Sequence, residues 1–149
     1  MPKLDLDAIP MRHGSDYPPP HDRPVAGRVA RLLSESAGLE DFVVAHSVIA
    51  PGGWSSQRHW HEGEDEFVTV VAGQGVLVDD LGRTPVGPGD CLAFPKGEAN
   101  GHHIVNEGAV PLVLVGVSLP ERSPCHYPDI GLTWEPERGY RVSGNDAPD

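Results

Sequence analysis

Apolar residues in the middle of this chain come in short runs, and each run is broken by a turn. No stretch repeats apolar positions at the spacing of an amphipathic helix of useful length. Residues 42–49 (FVVAHSVI) are rich in β-branched side chains and stop at the turn Ala50-Pro51-Gly52-Gly53. Residues 66–71 stop at Ala72-Gly73-Gln74-Gly75, and residues 76–79 return from it as the second arm of a hairpin. Further extended segments fall at 27–33, 54–61, 85–89, 91–94, 102–105 and 112–117, with Leu81-Gly82-Arg83 as another turn. This makes about nine short strands, the pattern of an all-β sandwich or closed barrel.

The two ends differ from this centre. Residues 1–24 contain Tyr17-Pro18-Pro19-Pro20, which cannot be helical and favours an extended path. They read as an N-terminal arm that lies across its own domain, crosses to a neighbouring subunit, or stays disordered. Residues 25–122 form the one expected domain. Residues 123–149, with scattered Pro, Gly and Asn, read as a wrapping C-terminal tail with one short strand or helical turn.

Composition narrows the function. The 149 residues include 18 Gly and 16 Pro, and the net charge is −11. Phosphate-backbone binding needs clustered Lys and Arg, so the acidic balance argues against a nucleic-acid partner and against an anionic membrane surface. No apolar run approaches the length that spans a bilayer, and residues 1–10 lack the apolar core of a signal peptide. The two cysteines, Cys91 and Cys125, do not make a disulfide framework. Cys91, in an apolar stretch, is expected to be a buried small hydrophobe. The expected location is the cytoplasm.

The chemistry-bearing stretch is Gly53-Trp54-Ser55-Ser56-Gln57-Arg58-His59-Trp60-His61-Glu62-Gly63-Glu64-Asp65-Glu66. On a strand, His59 and His61 project from one face and Trp60 from the other. Two imidazoles at that spacing can chelate a single ion. An antiparallel return brings the Glu66 carboxylate back over them, and the segment at His102-His103 offers a third imidazole. Three imidazoles and a carboxylate suit a divalent transition metal ion (Zn, Mn, Fe, Ni, Co or Cu) rather than Ca or Mg. Glu62, Glu64 and Asp65 read as a solvated turn without function. His13, His21, His46 and His126 read as surface or packing residues. Gln57, Tyr127 and Tyr140 are placed near a mouth, with hydrogen-bonding or packing roles. Trp54, Trp60, Phe67 and Phe94 are expected in the core or at a dimer contact. Asn106 is expected to fasten backbone. No catalytic side chain is assignable.

Gly53, His59, His61, Glu66 and Gly73 match G(X)5HXH(X)4E(X)6G. Gly89, Pro95, Gly97, His102 and Asn106 match G(X)5PXG(X)2H(X)3N, with four residues between Gly97 and His102 instead of two. Over residues 27–120 the chain therefore resembles the cupin superfamily. The phrases SSQRHWH and FPKGEANGHHIVN are similar to small single-domain bacterial cupins labelled sugar-phosphate isomerases. The resemblance implies a double-stranded β-helix, or jelly-roll barrel, with a metal ion held by His59, His61, Glu66 and His102. His103 is the fallback fourth ligand. It also implies a homodimer, with the arm a candidate for exchange. The implied activity is metal-dependent chemistry on a small chelating oxygen substrate, of isomerase, decarboxylase or lyase, or dioxygenase type. The alternative is a non-catalytic binding or sensor module.

Overall fold

The computed structural model describes residues 2–144. Its largest sheet has six antiparallel strands in the order Arg12–His13 (β1), Arg28–Leu32 (β2), Val43–Ile49 (β3), Leu112–Ser118 (β10), Glu66–Ala72 (β5) and Cys91–Phe94 (β8). A three-stranded sheet joins Gly82–Val86 (β7), Gly75–Asp79 (β6) and His103–Val105 (β9). A four-stranded sheet joins Gly139–Val142 (β13), Leu132–Glu135 (β12), Cys125–Tyr127 (β11) and Trp60–His61 (β4). None of the three closes on itself among the described residues; together they form an antiparallel jelly roll.

Register decides what faces inward. Ser47 opposes Leu114, which opposes Val70; Ser118 opposes Glu66, which opposes Phe94. Directly opposed residues point to the same face. One interior surface therefore carries Ile49, Leu112, Leu114 and Val70, packed with Val86 and Ile104, at one end. Glu66 and Phe94 lie at the other. The apolar end anchors the strands that hold the polar end. The Gly73 turn ends β5 with φ of +79°, and a Cβ there would meet the Pro111 carbonyl oxygen at 2.3 Å. Only glycine fits that close approach.

Several expectations need correction. The chain between Trp54 and His59 is a series of bends, not a continuous strand; only Trp60–His61 joins a sheet there. The second arm of the next hairpin begins at Gly82, because the turn sits at Asp80-Leu81. The tail supplies three strands, β11 to β13, instead of one. A five-residue helix, Leu33–Ala37 (α1), follows β2. Cys91 is exposed. It lies on the edge strand β8, whose alternation turns Leu92 and Phe94 inward and Cys91 and Ala93 outward.

The N-terminal arm packs on its own chain. Tyr17 is buried with Val25, Cys125 and Tyr127. The Gln57 backbone N–H donates to the Tyr17 hydroxyl at 3.3 Å, and the Tyr140 hydroxyl donates to Asp16 at 3.0 Å. No described helix is long and apolar enough to cross a membrane.

Candidate metal centre

Two strands and one isolated bridge bring the predicted ligands together. His61 ends β4, and Glu66 opens β5. His59 forms an isolated antiparallel bridge with His102. One ligand atom each from His59, His61 and Glu66 lies within 4.8 Å of the others. His102 completes the group from the far side: its Nε2 lies 2.7 Å from Glu66 Oε1.

Backbone carbonyls choose which nitrogen of each imidazole faces inward. His59 Nδ1–H donates to Gln57 O at 2.9 Å, and His102 Nδ1–H donates to Asn100 O at 3.0 Å. In both rings Nε2 is left toward Glu66. Phe94 stacks on the His102 ring at 3.5 Å between centroids, which fixes its plane.

His102 hydrogen-bonds Glu66 directly at 2.7 Å, whereas the spacing of His59 and His61 fits a shared ion better than direct hydrogen bonds. His59 Nε2 and His61 Nε2 stand 3.7 and 3.6 Å from Glu66 Oε2. Both distances are too long for hydrogen bonds. Two ligands each about 2.1 Å from one ion lie roughly 3.0–4.2 Å apart. His61 Nδ1 is buried without a hydrogen-bond partner, so its ring is not committed elsewhere. The donor set, nitrogens and one carboxylate, is that of a transition metal.

Electrostatics favour the same use. Burial opposes ionisation of Glu66, but the hydrogen bond from His102 and the flanking His59 and His61 rings outweigh it and hold the carboxyl well below its usual range. Burial likewise disfavours a charged His59, yet Glu66 overcomes this and raises its pKa. His103 lies apart. Burial lowers its pKa, its Nδ1 contacts Ser56 O at 2.7 Å, and its ring meets Trp54 edge-on at 4.8 Å. It therefore faces Trp54 and Ser56 and not Glu66.

The cluster opens into a chamber of about 250 Å³ lined also by Tyr17, Arg28, Ser56, Glu121 and Tyr127. Glu121 was not singled out from the sequence. It belongs to no motif, and only the fold returns the segment after β10 to the histidines. It reaches solvent, yet partial burial raises its carboxyl above the ordinary range.

The acidic turn is less uniform than expected. Glu64 is 3% exposed and accepts from the Arg122 backbone N–H and the Ser123 hydroxyl, both at 2.7 Å. It ties down the segment that carries Glu121, so its burial is paid for by hydrogen bonds. The other placements follow. Gln57 is buried and donates to His21 O at 2.8 Å. Trp60 stacks on His126 at 4.4 Å; Phe67 is exposed and not in the core of this chain. Asn106 Nδ2 donates to Ile49 O and Val110 O at 2.9 and 2.8 Å, fastening two loops.

An antiparallel jelly roll with a histidine–carboxylate cluster at one end of its interior defines the class. Residues 45–118 match the Cupin domain family model. The chain is 32% identical over 91 residues to an oxalate-binding protein of Thermotoga maritima, covering 61% of this chain and 74% of that protein. It superposes on a cupin-superfamily sugar phosphate isomerase from Silicibacter pomeroyi with a TM-score of 0.90 and 39% identity, covering 98% and 94% of the two chains. The polyketide cyclase RemF of Streptomyces resistomycificus shares the fold at a TM-score of 0.66 and 22% identity, over 85% and 84%. The chain belongs to the cupin superfamily.

Proposed function

We propose that this chain is a metal-dependent enzyme acting on a small chelating oxygen substrate, with His59, His61, Glu66 and His102 as ligands of one divalent transition metal ion. The observation that carries the reading is the convergence of three imidazole Nε2 atoms on one carboxylate that lines a chamber. A divalent ion held there supplies Lewis acidity, which stabilises negative charge developing on a substrate oxygen. The chain's own groups supply the rest. Glu121 is the second carboxylate of the chamber and the group assigned to move a proton, since its raised pKa suits an acid–base role. Tyr127 forms a wall, its ring 5.8 Å from that of His59.

Isomerisation, decarboxylation or lyase chemistry, and dioxygenation all fit this arrangement. The isomerase description of the Silicibacter pomeroyi protein favours the first. The oxalate-binding relative supports a second reading, a non-catalytic module that holds a small acid through the ion. The two readings part on assay. Metal-replete protein is incubated with sugar phosphates, keto acids and diketones while product and oxygen are followed. Turnover supports the enzyme; saturable binding without turnover across all metals supports the module. A homodimer in the cytoplasm is part of the same proposal, tested by sedimentation for its mass and by fractionation for its place.

A further inference from the structure

The chamber beside the imidazole cluster contains a cation that no acidic side chain neutralises. Arg28 is the single arginine or lysine among the lining residues. Its Nε and Nη2 donate to Gly14 O at 3.2 and 2.9 Å, and its Nη1 donates to Ser55 O at 2.8 Å. Arg12, Arg58 and Arg83 each pair with a carboxylate; among the described residues Arg28 pairs with none. Two main-chain carbonyls orient the guanidinium without cancelling its charge. A guanidinium has five N–H donors, and these bonds engage three, leaving two free.

Its place in the fold ties it to the cluster. Arg28 opposes Ile49 on the neighbouring strand and so shares the inward face with Ser47. The carbonyl that holds its Nη1 belongs to Ser55, and the hydroxyl of the next residue, Ser56, lies 3.2 Å from His59 Nδ1. Arginine, from β2, and imidazole are thus tied to the same short segment and line one chamber. That space, about 250 Å³, is smaller than the roughly 300–1,000 Å³ of drug-sized sites. Glu121 lines the same chamber.

We infer that the chamber's ligand is a small molecule with chelating oxygens at one end and an oxyanion group, carboxylate or phosphate, at the other, and that the two free N–H groups of Arg28 bind this oxyanion. The inference rests on the metal reading proposed above. Bidentate pairing of a guanidinium with carboxylate or phosphate is its strongest recognition mode.

The test is calorimetric titration of Zn(II)-loaded protein with three hydroxamates that share a chelating head. Acetohydroxamate has a neutral tail, malonomonohydroxamate a carboxylate, and phosphonoacetohydroxamate a phosphonate. At least one charged probe is expected to bind about tenfold or more tighter than acetohydroxamate, the gain of one charge-assisted pair; the tighter of the two names the oxyanion. Arg28→Gln is expected to erase that advantage and keep the affinity for acetohydroxamate. Equal binding of all three to the native protein overturns the role of Arg28, and needs no variant. Failure to take up zinc at the outset overturns the metal reading, and this inference with it; failure of all three probes on protein that holds a full equivalent of zinc overturns the chelating-ligand inference alone.

Discussion

His102 Nε2 and Glu66 Oε1 lie 2.7 Å apart although 36 positions separate them in the chain. This contact joins the segment after β8 to the start of β5. It converts a local His-X-His pair into a four-sided cluster.

His59→Ala or His61→Ala is expected to abolish stoichiometric metal while the protein stays folded. The apolar end of the interior, around Ile49 and Leu112, holds the strands independently of the cluster. Elemental analysis beside far-ultraviolet circular dichroism checks this. A folded variant that keeps a full equivalent of metal would remove that histidine from the ligand set.

His102→Ala and His103→Ala should differ. The first is expected to weaken metal binding at least as much as the ~10–100-fold typical for loss of a group that only orients a ligand. The second should leave metal content near normal, because His103 faces Trp54 and the Ser56 carbonyl. Competition titration with a chromogenic chelator measures both.

How much of this was legible in the chain depends on range. His59, His61 and Glu66 lie close together in the chain, so extended alternation and the turn after His61 suffice to suggest the group, although β4 and β5 join different sheets and do not pair as a hairpin. His102 could be placed only by its spacing to Asn106, and the Asn100 carbonyl that orients it lies in the lengthened loop before it. Glu121, Arg28 and the buried role of Glu64 have no local signature; they depend on how β2, β10 and the tail return to the interior. Cys91 misled because an apolar neighbourhood on an edge strand still has an outward face. The three tail strands were hidden by their Pro and Gly content, which reads as loop until β4 offers Cys125 and His126 a partner.

Arg58 secures the loop that carries His102. It pairs bidentately with Asp129, both bonds 2.8 Å, reaches Asp80 at 2.6 Å and donates to Gly101 O at 2.7 Å. Asp129 is held below the usual carboxylate range, chiefly by this bond. Arg58→Gln is expected to cost about 2 kcal/mol of stability and to weaken metal binding by ~10-fold. Urea unfolding and the chelator titration read the two effects separately.

The metal-free protein should show a definite pH dependence. Glu66 has a folded pKa below its ordinary value, so its contribution is present above about pH 4.3 and is lost as pH falls through the folded value. His59 has a folded pKa above its ordinary value, so its contribution is full below about pH 6.5 and is lost as pH rises through the folded value. The pair therefore supports the apo protein most between about pH 4.3 and 6.5. Metal binding runs the other way, since the imidazoles must give up protons. Urea midpoints of apo protein and of apo His59→Gln, compared at pH 5.5 and pH 9, should differ more at the lower pH. An equal difference at both would contradict the assigned coupling.

Glu121→Gln should retain metal and abolish turnover of any substrate found, a pattern that separates a proton-transferring group from a ligand. Retained turnover would return Glu121 to a surface role.

The most direct measurement is an anomalous difference map from crystals of the protein, recorded at the absorption edge of whichever metal elemental analysis finds. The account predicts one strong peak, about 2.1 Å from Nε2 of His59, His61 and His102 and from the Glu66 carboxylate. It would be contradicted by less than about a tenth of an equivalent of any transition metal after exposure to each candidate ion, with no peak among these four side chains.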